Sequence, residues 1–169
     1  MASAAAASEA DATSWRQADE SAERELRSMM DSRHLTHPAE LLEEAEELRA
    51  GLKDGSRKQP RVALTLLQAV ANAANSSHVP RSNSTAARVE LGHMYLRGEG
   101  TPADAAIAKH HYARAAEDGN PEAQHALGVL YSTGFGAERD TPLAATYLHF
   151  AAEAGSVGAQ LAMGYRHLL

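Results

Sequence analysis

Cysteine is absent from all 169 residues. That excludes a disulfide scaffold, a CxxC redox pair, a cysteine nucleophile and thiolate-ligated zinc. Aromatic residues make up only 5%, too few for a β-sandwich, which draws on Val, Ile and aromatics. No apolar run is long enough to span a membrane, so direct membrane insertion by this chain is not expected. Basic charge is scarce too: the net charge is −6, with 13 acids against 8 bases in residues 1–60 and 9 against 8 in residues 61–169. Without a basic stripe, nucleic acid is an unsuitable partner. The opening MASAAAASEADATSW has no basic start, and Glu9 and Asp11 interrupt its apolar residues, so it does not read as a secretory signal.

Alanine and helix-compatible leucine dominate what remains. Residues 1–33 read as a disordered or weakly helical segment, with an apolar stripe from Trp15 through Ala18, Ala22 and Leu26. Residues 34–85 read as a helical front with a polar loop. Within it, Pro38 opens a helix that Gly55 is expected to stop. A second helix covers 61–74, and NSSHVPRSNST (75–85) is expected to be an exposed loop. The acids of ELLEEAEELR (40–49) form the polar face of the first of these helices. Such a face suits a basic partner, or is simply solvated.

From residue 86 a repeat takes over. Gly92, Gly128 and Gly164 lie 36 residues apart, each inside a helical pattern. A mid-helix glycine costs about 1 kcal/mol against alanine, so its recurrence marks a recurring place where a neighbouring helix crosses closely. Leu91 matches Leu127, Tyr95 matches Tyr131, and Ala115-Ala116 match Ala151-Ala152. Gly98 and Gly100 match Gly134 and Gly136, reading as a turn between two helices, and Gly119 matches Gly155 at a helix exit. Asn120 before Pro121 reads as an N-cap, with Thr101-Pro102-x-Asp104 and Thr141-Pro142 opening the second helices. Each unit is a helix near 87–97, a Gly-x-Gly turn and a helix near 102–117. The expected fold is all-α: a right-handed α-solenoid of antiparallel helix pairs, about two and a half units over 86–169 with the last incomplete.

This pattern of Leu-Gly, Tyr, Gly-x-Gly, Tyr-x-x-Ala-Ala and exit glycine resembles the Sel-1-like repeat, a relative of the tetratricopeptide repeat. Helix 61–74 is similar to the second helix of a preceding unit. The stretch from Ala126 to Leu169, with MGYRH at 163–167, further resembles the luminal adaptors of the ER-associated degradation ubiquitin-ligase complex. That resemblance implies a non-catalytic scaffold on the luminal side of the endoplasmic reticulum, without cofactor. Its implied partners are a membrane ubiquitin ligase, an ER lectin and misfolded glycoprotein clients. Met163 stands where that family has leucine. The family's signal peptide, membrane anchor and last partner helix have no counterpart, so an N-terminal fragment is expected. The sequons at Asn75 and Asn83 agree with a luminal setting. The alternatives are a generic cytosolic adaptor in signalling, with cytoplasmic placement, or the repeat segment of a larger enzyme such as a kinase.

Site chemistry is sparse. The glycine turns GEG and GFG lack the preceding strand and third glycine of a dinucleotide loop. Nine histidines include His34/His37 and His110-His111, without the carboxylate spacing of a helical zinc site, so no metal is expected. Stacked helix pairs create extended concave surfaces that bind proteins. The variable positions Glu90, His93, Arg97, Gln124 and His125 are the candidates to line such a groove. The last helix ends on Leu168-Leu169, an uncovered apolar face from which self-association is expected.

Overall fold

The structure is a computed structural model that describes residues 38–51, 59–72 and 80–167, together with positions 20, 21, 24 and 28. Seven helices are delimited among the described residues: α1 (Pro38–Ala50), α2 (Pro60–Asn72), α3 (Arg81–Arg97), α4 (Ala105–Glu117), α5 (Pro121–Thr133), α6 (Thr141–Glu153) and α7 (Val157–His167). No strand occurs among the described residues. Each helix packs on the next in chain order, and α1 also touches α3. This is an all-α solenoid of antiparallel helix pairs.

The repeat positions explain the stacking. Ala87, Ala123 and Ala159 are each 0% exposed, as are Ala115 and Ala151. Small side chains at these positions let the helices approach. A Cβ added at Gly92 would lie 2.5 Å from the Tyr112 ring, and one at Gly128 would lie 2.7 Å from Leu148 Cγ. Tyr112 and Leu148 are themselves 36 residues apart, so a first-helix glycine receives a large side chain from the same second-helix position in both units. Gly164 meets nothing within 4 Å, so the contact expected there is not made among the described residues.

Caps set the helix ends. The Asp104 carboxylate accepts from the N–H groups of Ala106 and Ile107, at 2.8 and 3.1 Å, and Asp140 accepts from Leu143 at 2.9 Å. The Asn120 side chain accepts from Ala123 N–H at 2.9 Å. Aspartate rather than threonine therefore caps the second helices, and α4 begins at Ala105, past Pro102. The Gly-x-Gly turns are left-handed, with φ of 70° and 75° at Gly98 and Gly100 and 78° and 69° at Gly134 and Gly136.

Two expectations are corrected. First, α1 stops at Gly51, whose φ is 85° and whose N–H bonds the Glu47 carbonyl at 2.9 Å. The left-handed residue is thus Gly51, while Gly55 lies outside the described residues. Second, residues 81–85 are not loop but the first turn of α3. Tertiary contacts override the poor helix propensity of Ser-Asn-Ser-Thr: Ser84 is fully buried, and the buried Thr85 hydroxyl donates to Asp118 at 2.7 Å. The front of the array, where helix 61–74 resembles the second helix of a preceding unit, is itself a helix pair. Gly100 abuts the Pro60 backbone at the start of α2, just as Gly136 abuts Ala105 at the start of α4. So α2 occupies the place of α4 one unit earlier, with α1 as its partner. A core of Leu66, Leu67 and Val70 from α2, Ala45 from α1 and Leu91 and Met94 from α3 joins this pair to the next. The expectations for residues 1–33 and for Asn75 fall outside what the structure describes, apart from the isolated positions named above.

Candidate protein-binding groove

The first helices of successive pairs, α1, α3, α5 and α7, meet one another through side chains. Arg49 of α1 pairs with Glu90 of α3. His93 of α3 lies 3.6 Å from Glu122 of α5. The His125 ring of α5 lies against Gly158 of α7, where an added Cβ would stand 2.9 Å away. These three steps draw one continuous line across the array, the groove that the stack of pairs provides.

Its charges form a chain. Arg97 reaches Glu99 at 3.5 Å, Glu99 reaches Arg49 at 3.9 Å, and Arg49 bonds Glu90. Glu90 lies 3.9 Å from His93 Nδ1, and His93 Nε2 faces Glu122. Contact with His93, and then the Arg49 charge, hold the Glu90 carboxyl below the usual carboxylate range against an opposing effect of burial. Between α1, α3 and the start of α5 lies a cavity of about 130 Å³. Its floor is Ala45, Leu67 and Val89, all buried, and its rim carries Glu46, Arg49, Glu90 and Glu122.

Of the residues expected from sequence, Glu90 and His93 come together in this network, and Arg97 stands at its end. His125 lies one step further along, against α7. Gln124 differs: its Oε1 is buried and has no hydrogen-bond partner, so that atom is turned away from an incoming ligand. Arg49, Glu99 and Glu122 were missed. Their ion pairs bridge separate helices, and no periodicity within one unit reports them. Asn83 is half-buried in the first turn of α3, with the hydroxyl of its sequon threonine committed to Asp118. The exposed acceptor loop expected there is absent.

A second feature repeats with the units. Tyr95 stacks on His111 at 5.5 Å and 11°, and Tyr131 stacks on Tyr147 at 5.9 Å and 2°. Burial, and then the neighbouring His110 and Arg88 charges, push the His111 pKa down to about 4. Among the described residues no group of His, Asp and Glu has the arrangement of a metal site, and no helix is long and apolar enough to cross a membrane.

The family model described as Sel1 repeat matches residues 85–120 and 121–156. These two adjacent segments are each similar to a Sel1 repeat. Each matched segment closes at the exit of a second helix, and the helix pair α1–α2 precedes the first. Among solved structures, the chain is similar to c5321, a protective antigen present in uropathogenic Escherichia coli strains that displays an SLR fold. The TM-score is 0.67 with 29% identity over 82% of this chain. It is also similar to a Sel1 repeat protein from Oxalobacter formigenes, with a TM-score of 0.63 and 27% identity over 74% of this chain. The chain spans 27% and 46% of the lengths of those two proteins. No curated protein matches it. Sel1 repeats of this kind serve in general as surfaces for binding proteins.

Proposed function

We propose that the chain is a non-catalytic scaffold that holds a partner protein along the groove of α1, α3 and α5. The observation that carries this is the continuous row of side chains from Arg49 through Glu90, His93 and Glu122 to His125, set over an apolar-floored cavity. A curved array of helix pairs offers a rigid surface on which little ordering entropy is lost on binding.

At a finer level the chain acts as an adaptor of ER-associated degradation on the luminal side of the endoplasmic reticulum, with a membrane ubiquitin ligase, an ER lectin and misfolded glycoproteins as its partners. The support is the resemblance of residues 126–169 to the luminal repeats of that adaptor family. A second reading is an adaptor outside that pathway. It is favoured by Asn83, whose sequon is folded into α3 rather than presented for a glycan.

Affinity capture from detergent-solubilised ER membranes, with the tagged chain as bait, tests both levels. Recovery of the membrane ubiquitin ligase and an ER lectin is the expected result. Saturable capture of cytosolic proteins alone would refute the degradation role and keep the scaffold. Capture no greater than that of an unrelated helical bait would refute the scaffold itself.

A further inference from the structure

The groove has a chemistry of its own. Its cavity sits between an apolar floor and a rim on which Glu46, Glu90 and Glu122 outnumber Arg49. Glu99 adds a further acid beside Arg49, and Arg97 is already engaged by that same Glu99. From α1, Glu46 and Arg49 are the charged residues that line the cavity. Glu122 is 61% exposed and faces the His93 imidazole, and its exposed charge is open to an incoming cation. Beneath His93 lies Tyr112, 0% exposed, its ring edge-on to the imidazole at 5.7 Å. The Tyr112 hydroxyl has no hydrogen-bond partner, and the charged groups around it are Arg97, Glu122 and Glu90.

From this apolar floor and acidic rim we infer that the groove takes an extended partner segment with lysine or arginine flanked by aliphatic residues. The aliphatic stem of such a side chain packs on Ala45, Leu67 and Val89 while its cation reaches Glu90 and Glu122. Glu46 and Glu99 widen the acidic field that steers the approach. This inference rests on the scaffold reading and names the partner's chemistry.

The test is fluorescence anisotropy with the full chain and two labelled nine-residue peptides. One alternates leucine and lysine, and the other has glutamine at each lysine. The lysine peptide is expected to bind at least tenfold more tightly. The double variant Glu90→Gln/Glu122→Gln is expected to lose at least tenfold, and Glu46→Gln/Glu122→Gln, which keeps the Arg49–Glu90 pair, at least threefold. The control Glu138→Gln/Glu153→Gln removes two exposed acids outside the groove and should change binding less than twofold. Far-UV circular dichroism melts confirm that each variant is folded. Equal losses in groove and control variants would overturn the inference, since net charge alone would then account for binding. Equal affinity for the two peptides would overturn it too. A partner recovered by affinity capture and held equally by parent and Glu46→Gln/Glu122→Gln chains would overturn the groove chemistry while leaving the scaffold intact.

Discussion

Glycine-to-alanine substitution at Gly92, Gly128 and Gly164 makes the same chemical change at one repeat register position in three surroundings. In every case alanine gains helix propensity of about 1 kcal/mol. What differs is the space. At Gly92 the new methyl meets three atoms of the Tyr112 ring at 2.5–2.8 Å. The ring is rigid and fully buried, so the helices must part, at an overpacking cost of about 3 kcal/mol. At Gly128 the methyl meets Leu148 at 2.7 and 2.8 Å and the Ala144 carbonyl at 3.3 Å. Leucine yields by rotamer change, and a cost of about 2 kcal/mol is expected. At Gly164 nothing among the described residues lies within 4 Å. The net expectation is destabilisation by about 2 kcal/mol for Gly92→Ala, about 1 kcal/mol for Gly128→Ala, and stabilisation by up to about 1 kcal/mol for Gly164→Ala. Urea unfolding followed by far-UV circular dichroism reads these as midpoint shifts at constant slope. Destabilisation of Gly164→Ala as large as that of Gly92→Ala would refute the reasoning, because close helix approach would then not be why the glycine recurs. Replacing Tyr112 by leucine, its counterpart in the next unit, should rescue part of the Gly92→Ala loss.

The other predictions concern charge and caps. The His111 pKa is lowered to about 4 from 6.5, so the unfolded chain binds the extra proton between those values. Stability is therefore fully present above about pH 6.5, falls as the pH drops toward 4, and is flat below. His111→Tyr reproduces the Tyr131–Tyr147 stack and should remove about 1–2 kcal/mol of that acid-side loss, allowing for solvent contact, in melts at pH 4.5 against pH 7.5. Asp104→Ala and Asp140→Ala each remove an N-cap acceptor and should cost about 1 kcal/mol by urea titration, with Asn replacements keeping most of it. On α7, Val157 and Leu161 are 67% and 58% exposed. Sedimentation velocity should show concentration-dependent association that Val157→Ser/Leu161→Ser abolishes; identical profiles for both chains would argue that this face is not used.

Much of the solenoid was readable because its determinants are local and periodic. Gly98 and Gly134 end helices in the left-handed region, and Gly119 and Gly155 do the same after the second helices. Asn120 caps where an asparagine before proline should. The extra turn of α3 was not readable, because Ser82, Asn83 and Ser84 signal a loop locally and only burial against the array makes them helical. Helix 61–74 was legible as a second helix from its own residues, but its pairing with α1 was not, because α2 and α4 start 45 positions apart rather than 36 and the first helix therefore falls outside the repeat register. Glu90 and His93 were placed in the groove by their position on a first helix. Their partners Arg49 and Glu122 come from neighbouring units, at sequence distances set by connecting segments rather than by helical geometry. Gln124 shares a helix with His125, yet the rotation of one residue turns its oxygen inward.

Partner proteins are expected to sit in the groove rather than on the outer helices. Site-specific photocrosslinking addresses this directly, with benzoylphenylalanine placed at His93 in the groove or at His149, an exposed position on α6. The full chain bearing each probe is irradiated in membrane extract. A discrete crosslinked species from position 93 and none from position 149 is the predicted result. The same species from both positions, or from position 149 alone, would contradict it.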